Sequence, residues 1–573
     1  MRFLLALVVL AGATACWAQG PRLVSATFWG TAGDDAIEDG AIAEDGTLWI
    51  AGNTASPVGR LPDGTQPTQF GQAVRDWTYG CGFVGQLSDD GTKVLRYAQF
   101  APGVAKVTSV QVNSNGVYVG GYASPGLEPL IGDLGGLLAK GRFDQRSLKT
   151  WCPPEHFSEP ERKAANDQRG APFVLRLSRD LARIECGTFL EGWQSVWHVP
   201  KPLGEDHDQP TAIGLLSGGD IVVAHDGGYN KQPPAGKPAG FEEFYDVGDH
   251  LSRLGADLKT RAWRRDIYTP SVDPAKVNRY QNNSKHFSAK WKTLPFDWKL
   301  PHLGNTRILR MRVGPGDAIA LSGWSPTRTS GEPWWSPFLL KYGADGREVW
   351  RAWTVDPMSG GGDRLGGQVS DACVRSVAFD AEGNVLASMI GDGGNNILRW
   401  DPRDPTRRAP ALRGSVGSFP GRVLFWGGVA RLDKESRQLL GGNHLAAYGP
   451  ARGGRSTGSH PYYRATWAED VAALPDGRVL AVGQNNGGYV TTAPWFADSV
   501  GGLVVLYDRE FAVSFSTTVA DARLRTLAAR GSRALVMGSA PAKAAPTTRA
   551  IASSHAGGRD GYLMVVEVPS PAP

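Results

Sequence analysis

The chain has 573 residues, of which 41% are hydrophobic and 20% charged, so its composition is that of a folded protein and its length allows several domains or one large repeat fold. Its 74 glycines and 39 prolines indicate many turns and argue against a mainly helical protein. Lys and Arg total 61 against 56 Asp and Glu, and the resulting net charge of +5 is spread without long basic runs, which argues against nucleic acid as a partner.

The first residues have the layout of a bacterial secretory signal. An arginine precedes an apolar run over residues 3–10 that is too short to span a bilayer, and small residues follow. We predict a signal peptide over residues 1–18 and a single mature domain over residues 19–573, monomeric and either secreted or periplasmic. Ala13-Thr14-Ala15-Cys16 resembles a lipoprotein box without its usual large aliphatic residue, so lipid anchoring through Cys16 is the alternative. No later segment is long and apolar enough to be transmembrane.

The stretch over residues 35–54, DAIEDGAIAEDGTLWIAGNT, is the first of seven similar stretches. Each has a short alternating apolar run, a tight turn with Gly, Asp or Asn, and a second apolar run, which is the pattern of a β-hairpin. The other six begin at Val107, Thr211, Ile308, Val374, Asp470 and Leu524.

A second strand pair follows each hairpin, except that the last copy stops after one strand. Its missing partner is matched by RLVSATFWG, residues 22–30, near the other end of the chain. Four strands per unit and seven units predict an all-β fold, a seven-bladed β-propeller of four-stranded blades in which residues 22–30 complete the last blade. Such closure removes exposed sheet edges.

The first copy, residues 28–56, reads FWGTAGDDAIEDGAIAEDGTLWIAGNTAS. Its entry is similar to Gly-Gly-Ser-Gly-Asp-Asp, and an Asp-Gly turn and a Gly-x-Thr-x-Ser exit follow. These features resemble the bacterial seven-bladed propeller repeat called SBBP. The other six copies keep the hairpin and lose the entry motif. The resemblance implies an exported, repeat-built propeller and implies no shared catalytic residues.

The connections between strands differ sharply in length. Turns between strands one and two, and between strands three and four, are tight, whereas nearly every insertion falls between strands two and three or between blades. In a four-stranded blade these two classes lie on opposite faces, so we predict long loops on one face, where binding groups concentrate. The insertions are residues 55–80, 124–171, 227–248, 270–305, 391–427 and 442–466.

Aromatic and amide side chains in these loops suggest a ligand platform. Exposed tryptophan beside polar groups suits sugar rings, although long loops also bury tryptophan in small cores of their own. The candidate ligand-binding residues are Trp77, Trp151, Trp197, Trp334, Trp335, Trp400, Trp495, Asn395 and Asn485.

Acidic residues recur near the start of the innermost strands. Arranged around the axis, they would ring the channel mouth and bind Ca²⁺ through oxygen ligands. The alternative is that each caps a turn or pairs with a neighbouring arginine. The candidates are Asp35, Asp208, Asp371, Asp470 and Asp521.

Four cysteines follow the signal region. Cys152 and Cys186 lie in the same repeat and are predicted to form a disulfide, with free buried thiols as the alternative. The chain has no Cys-x-x-Cys spacing, which argues against a zinc cluster or a c-type haem.

The leading interpretation is an exported binding or scaffold protein that uses an aromatic-rich loop face, with an extracellular glycan or protein as its partner. The first alternative is an extracellular polysaccharide-active hydrolase or lyase with catalytic groups from several blades. The second is a cell-surface protein-interaction module. No nucleophile, base and orienting group are recognisable, so no catalytic residue is assigned.

Overall fold

The computed structural model describes residues 20–61, 64–75, 80–141, 170–191, 211–226, 249–267, 307–329, 332–353, 372–391, 398, 400–410, 412–413, 426–445, 466–485, 491–492, 495–496, 500–541, 547–551 and 558–570. These residues form seven four-stranded blades in a ring, with 4% helix. The predicted β-propeller is therefore confirmed.

Strand β1 (Arg22–Trp29) belongs to the last blade, and the ring begins with the strand after it. Blade one contains β2 (Ala36–Ile42), β3 (Leu48–Thr54), β5 (Cys81–Leu87) and β6 (Val94–Phe100), and the short strand β4 (Thr68–Phe70) pairs in parallel with β6. Blade two contains β7 (Ala105–Asn113), β8 (Gly116–Ala123), β9 (Ala171–Leu177) and β10 (Ile184–Phe189). Blade three contains β11 (Ala212–Leu215), β12 (Ile221–Asp226), β13 (Asp249–Leu254) and β14 (Arg261–Ile267).

Blade four contains β15 (Arg307–Val313), β16 (Ile319–Thr329), β17 (Glu332–Tyr342) and β18 (Glu348–Ala352); blade five contains β19 (Ala372–Phe379), β20 (Val385–Gly391), β23 (Trp426–Leu432) and β24 (Leu439–Leu445); blade six contains β25 (Thr466–Ala473), β26 (Val479–Asn485), β27 (Gly501–Tyr507) and β28 (Val513–Ala520); blade seven contains β29 (Arg523–Arg530), β30 (Arg533–Pro541), β31 (Arg559–Glu567) and β1. A small separate sheet pairs β21 (Trp400–Asp401) with β22 (Asp404–Arg408). Helix α1 (Glu128–Gly132) and two short 3-10 helices, Pro125–Leu127 and Pro315–Asp317, complete the described elements.

The first strand of each blade lies nearest the axis, because it contacts the first strands of both neighbouring blades. The ring closes through β1, which pairs antiparallel with β31 from Arg22–Glu567 to Trp29–Gly561. Phe28 of β1 is buried against Tyr562 of β31, with ring centroids 5.4 Å apart. The predicted closure by residues 22–30 is confirmed in this register.

Apolar side chains fill the space between neighbouring blades. One core cluster joins blades one and two, where Trp49 is fully buried in the same cluster as Val107 and Phe173. Another joins blades six and seven around Leu480 and Leu524. Burial between sheets, rather than on the outer edges, explains why the second and third strands are almost continuously apolar.

A β-bulge interrupts the pairing of the first strand with the second in six blades. In each of these blades, one residue of the inner strand has no partner on the second strand. These residues are Glu38, Thr108, Leu309, Arg375, Glu469 and Arg525. In five of these blades the second strand has a glycine opposite the residue before the bulge, and Gly323 of blade four is one of them. At the other four, Gly52, Gly121, Gly483 and Gly538, an added Cβ atom would lie 1.8–2.1 Å from a carbonyl oxygen of the inner strand. The glycine that recurs in the hairpin repeat therefore makes room for the bulge.

Gly52→Ala is expected to lower the free energy of unfolding by about 1–3 kcal/mol, since the new methyl group would overlap the carbonyl oxygen of Ala36 and the strand pair would have to separate. Gly218→Ala is the matched control, because a Cβ atom there meets nothing within 4 Å, and its change should stay within about 0.5 kcal/mol. Urea unfolding measures both. Equal midpoints for the two variants would show that the bulge needs no glycine.

Candidate functional site

The two faces of the propeller differ as the connection lengths predict. We call the face with the turns between strands one and two and between strands three and four the turn face, and the opposite one the loop face. The described turns on the turn face have at most six residues, as in residues 178–183. On the loop face, residues 124–170 separate β8 from β9, 268–306 separate β14 from β15, and 392–425 separate β20 from β23. The loop face therefore carries the long connections.

Blade four adds a β-hairpin that extends beyond the blade on the loop face. Strands β16 and β17 each have 11 residues, whereas most blade strands have six to eight, and their pairing continues to Thr329–Glu332. Trp334 pairs with Thr327 and Trp335 with Pro326. Both tryptophans, expected in a loop, thus belong to a regular strand pair that projects from the propeller.

Of the predicted ligand-binding tryptophans, two have described side chains, and both pack within the protein. Trp400 is only 7% exposed and lies in the core cluster of blade five, where its carbonyl oxygen accepts a hydrogen bond from Nε1 of Trp353 at 3.1 Å. Trp495 packs on Phe515 with ring centroids 4.9 Å apart, and its Nε1 donates to the carbonyl oxygen of Pro21 at 3.0 Å. These two rings therefore make packing contacts, and the ligand-binding role of both stays a prediction.

Of the two predicted asparagines, Asn485 lies in the described part of the chain. Asn485 is buried at the end of β26, and its Oδ1 lies 3.4 Å from Oγ1 of Thr466 in the paired strand. Trp77, Trp151, Trp197 and Asn395 lie outside the described residues.

The described acidic candidates do not occupy equivalent positions. Asp35 precedes β2 and Asp521 precedes β29, whereas Asp470 lies inside β25, directly after the bulge. Within the described ranges, no three His, Cys, Asp or Glu side chains form a group that would hold a metal ion. Asp208 and Asp371 lie outside those ranges, so calcium binding at the mouth stays a prediction.

Asp35 joins the entry of its repeat to the exit. Its carboxylate accepts hydrogen bonds from the backbone N–H of Thr31 at 2.5 Å and of Ala55 at 2.6 Å. Burial is the main cause that raises its pKa to about 6, and the nearby Asp560 carboxylate adds to the effect. The carboxylate of Asp35 therefore holds the entry of the first repeat against its Thr-x-Ser exit.

Asp470 is the centre of a buried ionic cluster at the axis. Its carboxylate is fully buried and accepts hydrogen bonds from the hydroxyl of Ser376 in blade five and from the backbone N–H of Leu527 in blade seven, the latter at 2.8 Å. Two arginines of blade four face it, with Nη2 of Arg312 at 3.5 Å and Nε of Arg310 at 3.9 Å from Oδ2. Three other blades thus meet at one side chain of blade six.

This contact is one of a series around the ring. In several blades the residue after the bulge has a polar side chain that bonds to the next blade: Asp39 to the N–H of Val110, Ser109 to the N–H of Ile213, Ser376 to Asp470, Asp470 to the N–H of Leu527, and Thr526 to the carbonyl oxygen of Glu38. Of this set, sequence analysis singled out Asp470 alone, as a calcium ligand, and missed the bonds between blades. The signal of the set was a polar residue inside an otherwise apolar inner strand, as in ATWAEDVAAL and CVRSVAF.

The predicted disulfide is not tested by the described residues. Cys186 is buried, its Sγ lies 3.9 Å from the carbonyl oxygen of Ala256, and burial raises the pKa of its thiol. Cys152 lies outside the described residues, so its pairing stays a prediction. Burial also raises the pKa of the Cys81 thiol to about 11, which makes that thiol unreactive near neutral pH.

The ring of blades and its one-sided connections define the class of this protein as a seven-bladed β-propeller with a loop-bearing face. No family model and no curated protein matches the chain, so the resemblance to the SBBP repeat stays a prediction. Among the described helices, none has the length and hydrophobicity to cross a membrane.

Several solved structures are similar to the chain in fold. A protein of unknown function from Dyadobacter fermentans is 13% identical, with a TM-score of 0.37 over 96% of this chain and 100% of that one. Puromycin hydrolase is 10% identical, with a TM-score of 0.38 over 90% of this chain and 51% of that one. The quinohemoprotein alcohol dehydrogenase of Comamonas testosteroni is 10% identical, with a TM-score of 0.34 over 97% and 77%. At such identities the similarity concerns the fold alone.

Proposed function

We propose that this protein is an exported binding propeller that holds an extracellular ligand, a glycan first of all, on its loop face. The observation that carries the proposal is the one-sided distribution of the connections, together with the projecting β16–β17 hairpin. Loops on a rigid scaffold are where proteins concentrate binding groups, and the ring of blades gives this face a shallow concavity.

The described carboxylates favour binding over catalysis. A general acid or base needs access to its substrate. Asp35, Asp39 and Asp470 are instead buried, and each accepts a hydrogen bond from a backbone N–H group. These three carboxylates are engaged in holding backbone segments in place, which argues against an acid–base role for them.

The hairpin of blade four offers a direct test. Replacing residues 325–336 with Asn-Gly would end the strand pair at Trp324–Pro337 with a two-residue turn, which suits a hairpin, and would leave the paired part within the blade intact. We expect the variant to keep its melting temperature within a few degrees and to lose binding of the polysaccharide that stabilises the parent protein in a thermal-shift screen. A ligand at about a hundred times its Kd should stabilise the parent by roughly 2.7 kcal/mol.

A change on the turn face provides the control. Asp345→Ala removes an exposed ion pair with Arg347, so it should change stability by less than about 1 kcal/mol and leave glycan binding unchanged. Unaltered binding after removal of the hairpin would contradict its role in the site. New reducing ends or unsaturated sugars in the same wells would replace the binding proposal with a polysaccharide-active enzyme, and the lack of any shift would direct attention to a protein partner.

A further inference from the structure

The pairing register of the hairpin in blade four fixes which of its backbone groups point outward. In an antiparallel strand pair, every second pair of opposite residues exchanges no hydrogen bonds, and its N–H and C=O groups point away from the partner strand. Prolines occur in every second pair beyond the blade: Trp324–Pro337, Pro326–Trp335 and Arg328–Pro333. Because proline has no N–H to donate, these are the pairs without hydrogen bonds.

Prolines close both edges of the hairpin to strand addition. Among the described strands, β15 pairs with β16 only as far as Trp324, and β18 pairs with β17 only as far as Leu339. Beyond these points five residues have outward-pointing backbone groups, and three of the five are prolines: Pro326, Arg328, Pro333, Trp335 and Pro337. A peptide that adds to a sheet edge needs N–H donors at alternate residues, and proline removes them. The hairpin is therefore poorly suited to an extended peptide as its ligand.

The register places the two adjacent tryptophans on opposite faces of the hairpin. Successive residues of a strand alternate between faces, and directly opposite residues share a face. We call the face of Trp335 the proline face; its residues are Trp324, Pro326, Arg328, Pro333, Trp335 and Pro337. At its base, Trp324 is only 6% exposed and belongs to a cluster with Cys373 and Ile390 of blade five. The proline face thus begins in the protein core, and it has no hydroxyl, amide or carboxylate residue.

The opposite face, which we call the hydroxyl face, combines one tryptophan with four hydroxyl residues. Its residues are Ser325, Thr327, Thr329, Glu332, Trp334 and Ser336. Thr327 stands opposite Trp334, a separation of about 5 Å, and Ser336 is two positions along the strand, at about 7 Å. A sugar ring packs its C–H groups on an indole while its hydroxyls bond to polar groups at the margin. The hydroxyl face has the residue types that such a ligand needs.

We propose that the hydroxyl face of the β16–β17 hairpin binds a neutral glycan, with Trp334 as the residue that contacts a sugar ring. The inference rests on the proposed glycan-binding function and names its ligand class. Glu332 is the one charged residue of this face, so a uronate or a sulfated sugar would meet a like charge without a compensating Lys or Arg. The prolines on the edges disfavour a peptide.

The test is calorimetric titration with dextran, laminarin and galactomannan, and with oligogalacturonate as the acidic comparison. We expect the parent protein to bind at least one of the three neutral glycans and Trp334→Ala to weaken that binding by at least about tenfold. Trp334→Phe keeps an aromatic ring and should restore most of the affinity. Trp335→Ala is the matched control, because it removes the same side chain from the next residue of the same strand, and it should keep the affinity within about twofold.

Thermal melting of each variant shows whether it folds. Unchanged affinity of a folded Trp334→Ala, or a loss in Trp335→Ala as large as that in Trp334→Ala, overturns the assignment of the hydroxyl face. If Trp334→Ala folds poorly, Trp334→Phe and Trp335→Ala decide, since the proposal requires both to bind. Binding of oligogalacturonate alone overturns the neutral ligand but leaves the proposed function standing, whereas failure of all four glycans to bind overturns both.

Discussion

Asp470→Ala is expected to lower the free energy of unfolding by about 3–5 kcal/mol, the cost of removing one partner from a buried ionic cluster. The fully buried carboxylate accepts from Ser376 and from Leu527, and it is the counter-charge of Arg310 and Arg312. Without it, two mostly buried guanidinium groups lose their anion. Urea unfolding followed by tryptophan fluorescence measures the loss.

An exposed ion pair supplies the comparison. Asp345 and Arg347 pair at 3.4 Å, but their side chains are 60% and 86% exposed, so Asp345→Ala should change stability by less than about 1 kcal/mol. A similar small loss in Asp470→Ala would mean that the arginines of blade four find other acceptors. The central cluster would then contribute little to ring closure.

Stability is also expected to fall as the pH rises from about 4 to about 6, because of Asp35. Its folded pKa of about 6 lies above its ordinary value of 3.8, chiefly through burial, so the folded state holds the proton more tightly than the unfolded state does. The stabilisation is therefore fully present below pH 4 and is lost as the pH rises through 6. A shift of two units corresponds to about 3 kcal/mol.

The measurement is the difference in free energy of unfolding between the parent protein and Asp35→Asn at several pH values from 4 to 8. Asparagine has only one side-chain oxygen for the N–H groups of Thr31 and Ala55, so the variant should lose stability at every pH. The informative quantity is the slope, because other titrating groups cancel in the difference. The difference in free energy of unfolding, parent protein minus variant, should fall between pH 4 and pH 6 and stay constant above pH 6.

Asp45→Asn is the matched control from the same hairpin. The hydroxyl of Thr47 is the main cause that lowers the pKa of Asp45, so its contribution is lost only as the pH falls below the ordinary range of a carboxylate. The difference in free energy of unfolding between the parent protein and Asp45→Asn should be constant between pH 5 and pH 8. A level difference for Asp35→Asn over pH 4 to 6 would show that Asp35 remains ionised in the folded protein.

The candidate site was less predictable from sequence than the fold. Asp35 and Asp470 seemed equivalent because both stand near the start of a repeat, but Asp35 precedes its inner strand, whereas Asp470 follows the bulge and corresponds to Asp39 of blade one. Trp400 and Trp495 lie in the connections between blade strands, and only the structure reveals their contacts with Trp353, Phe515 and Pro21. Burial depends on non-local neighbours, which a pattern of residue types does not contain.

By itself, the sequence determined the repeat unit, the number of blades, the closing strand and the face of the long connections. These follow from local features, namely alternating apolar residues, tight turns with glycine, and connection lengths. Only the tertiary structure decided which polar groups meet at the axis. Arg310 and Thr526 are separated by 216 positions in the chain and come into contact when the ring brings blades four and seven to opposite sides of one channel.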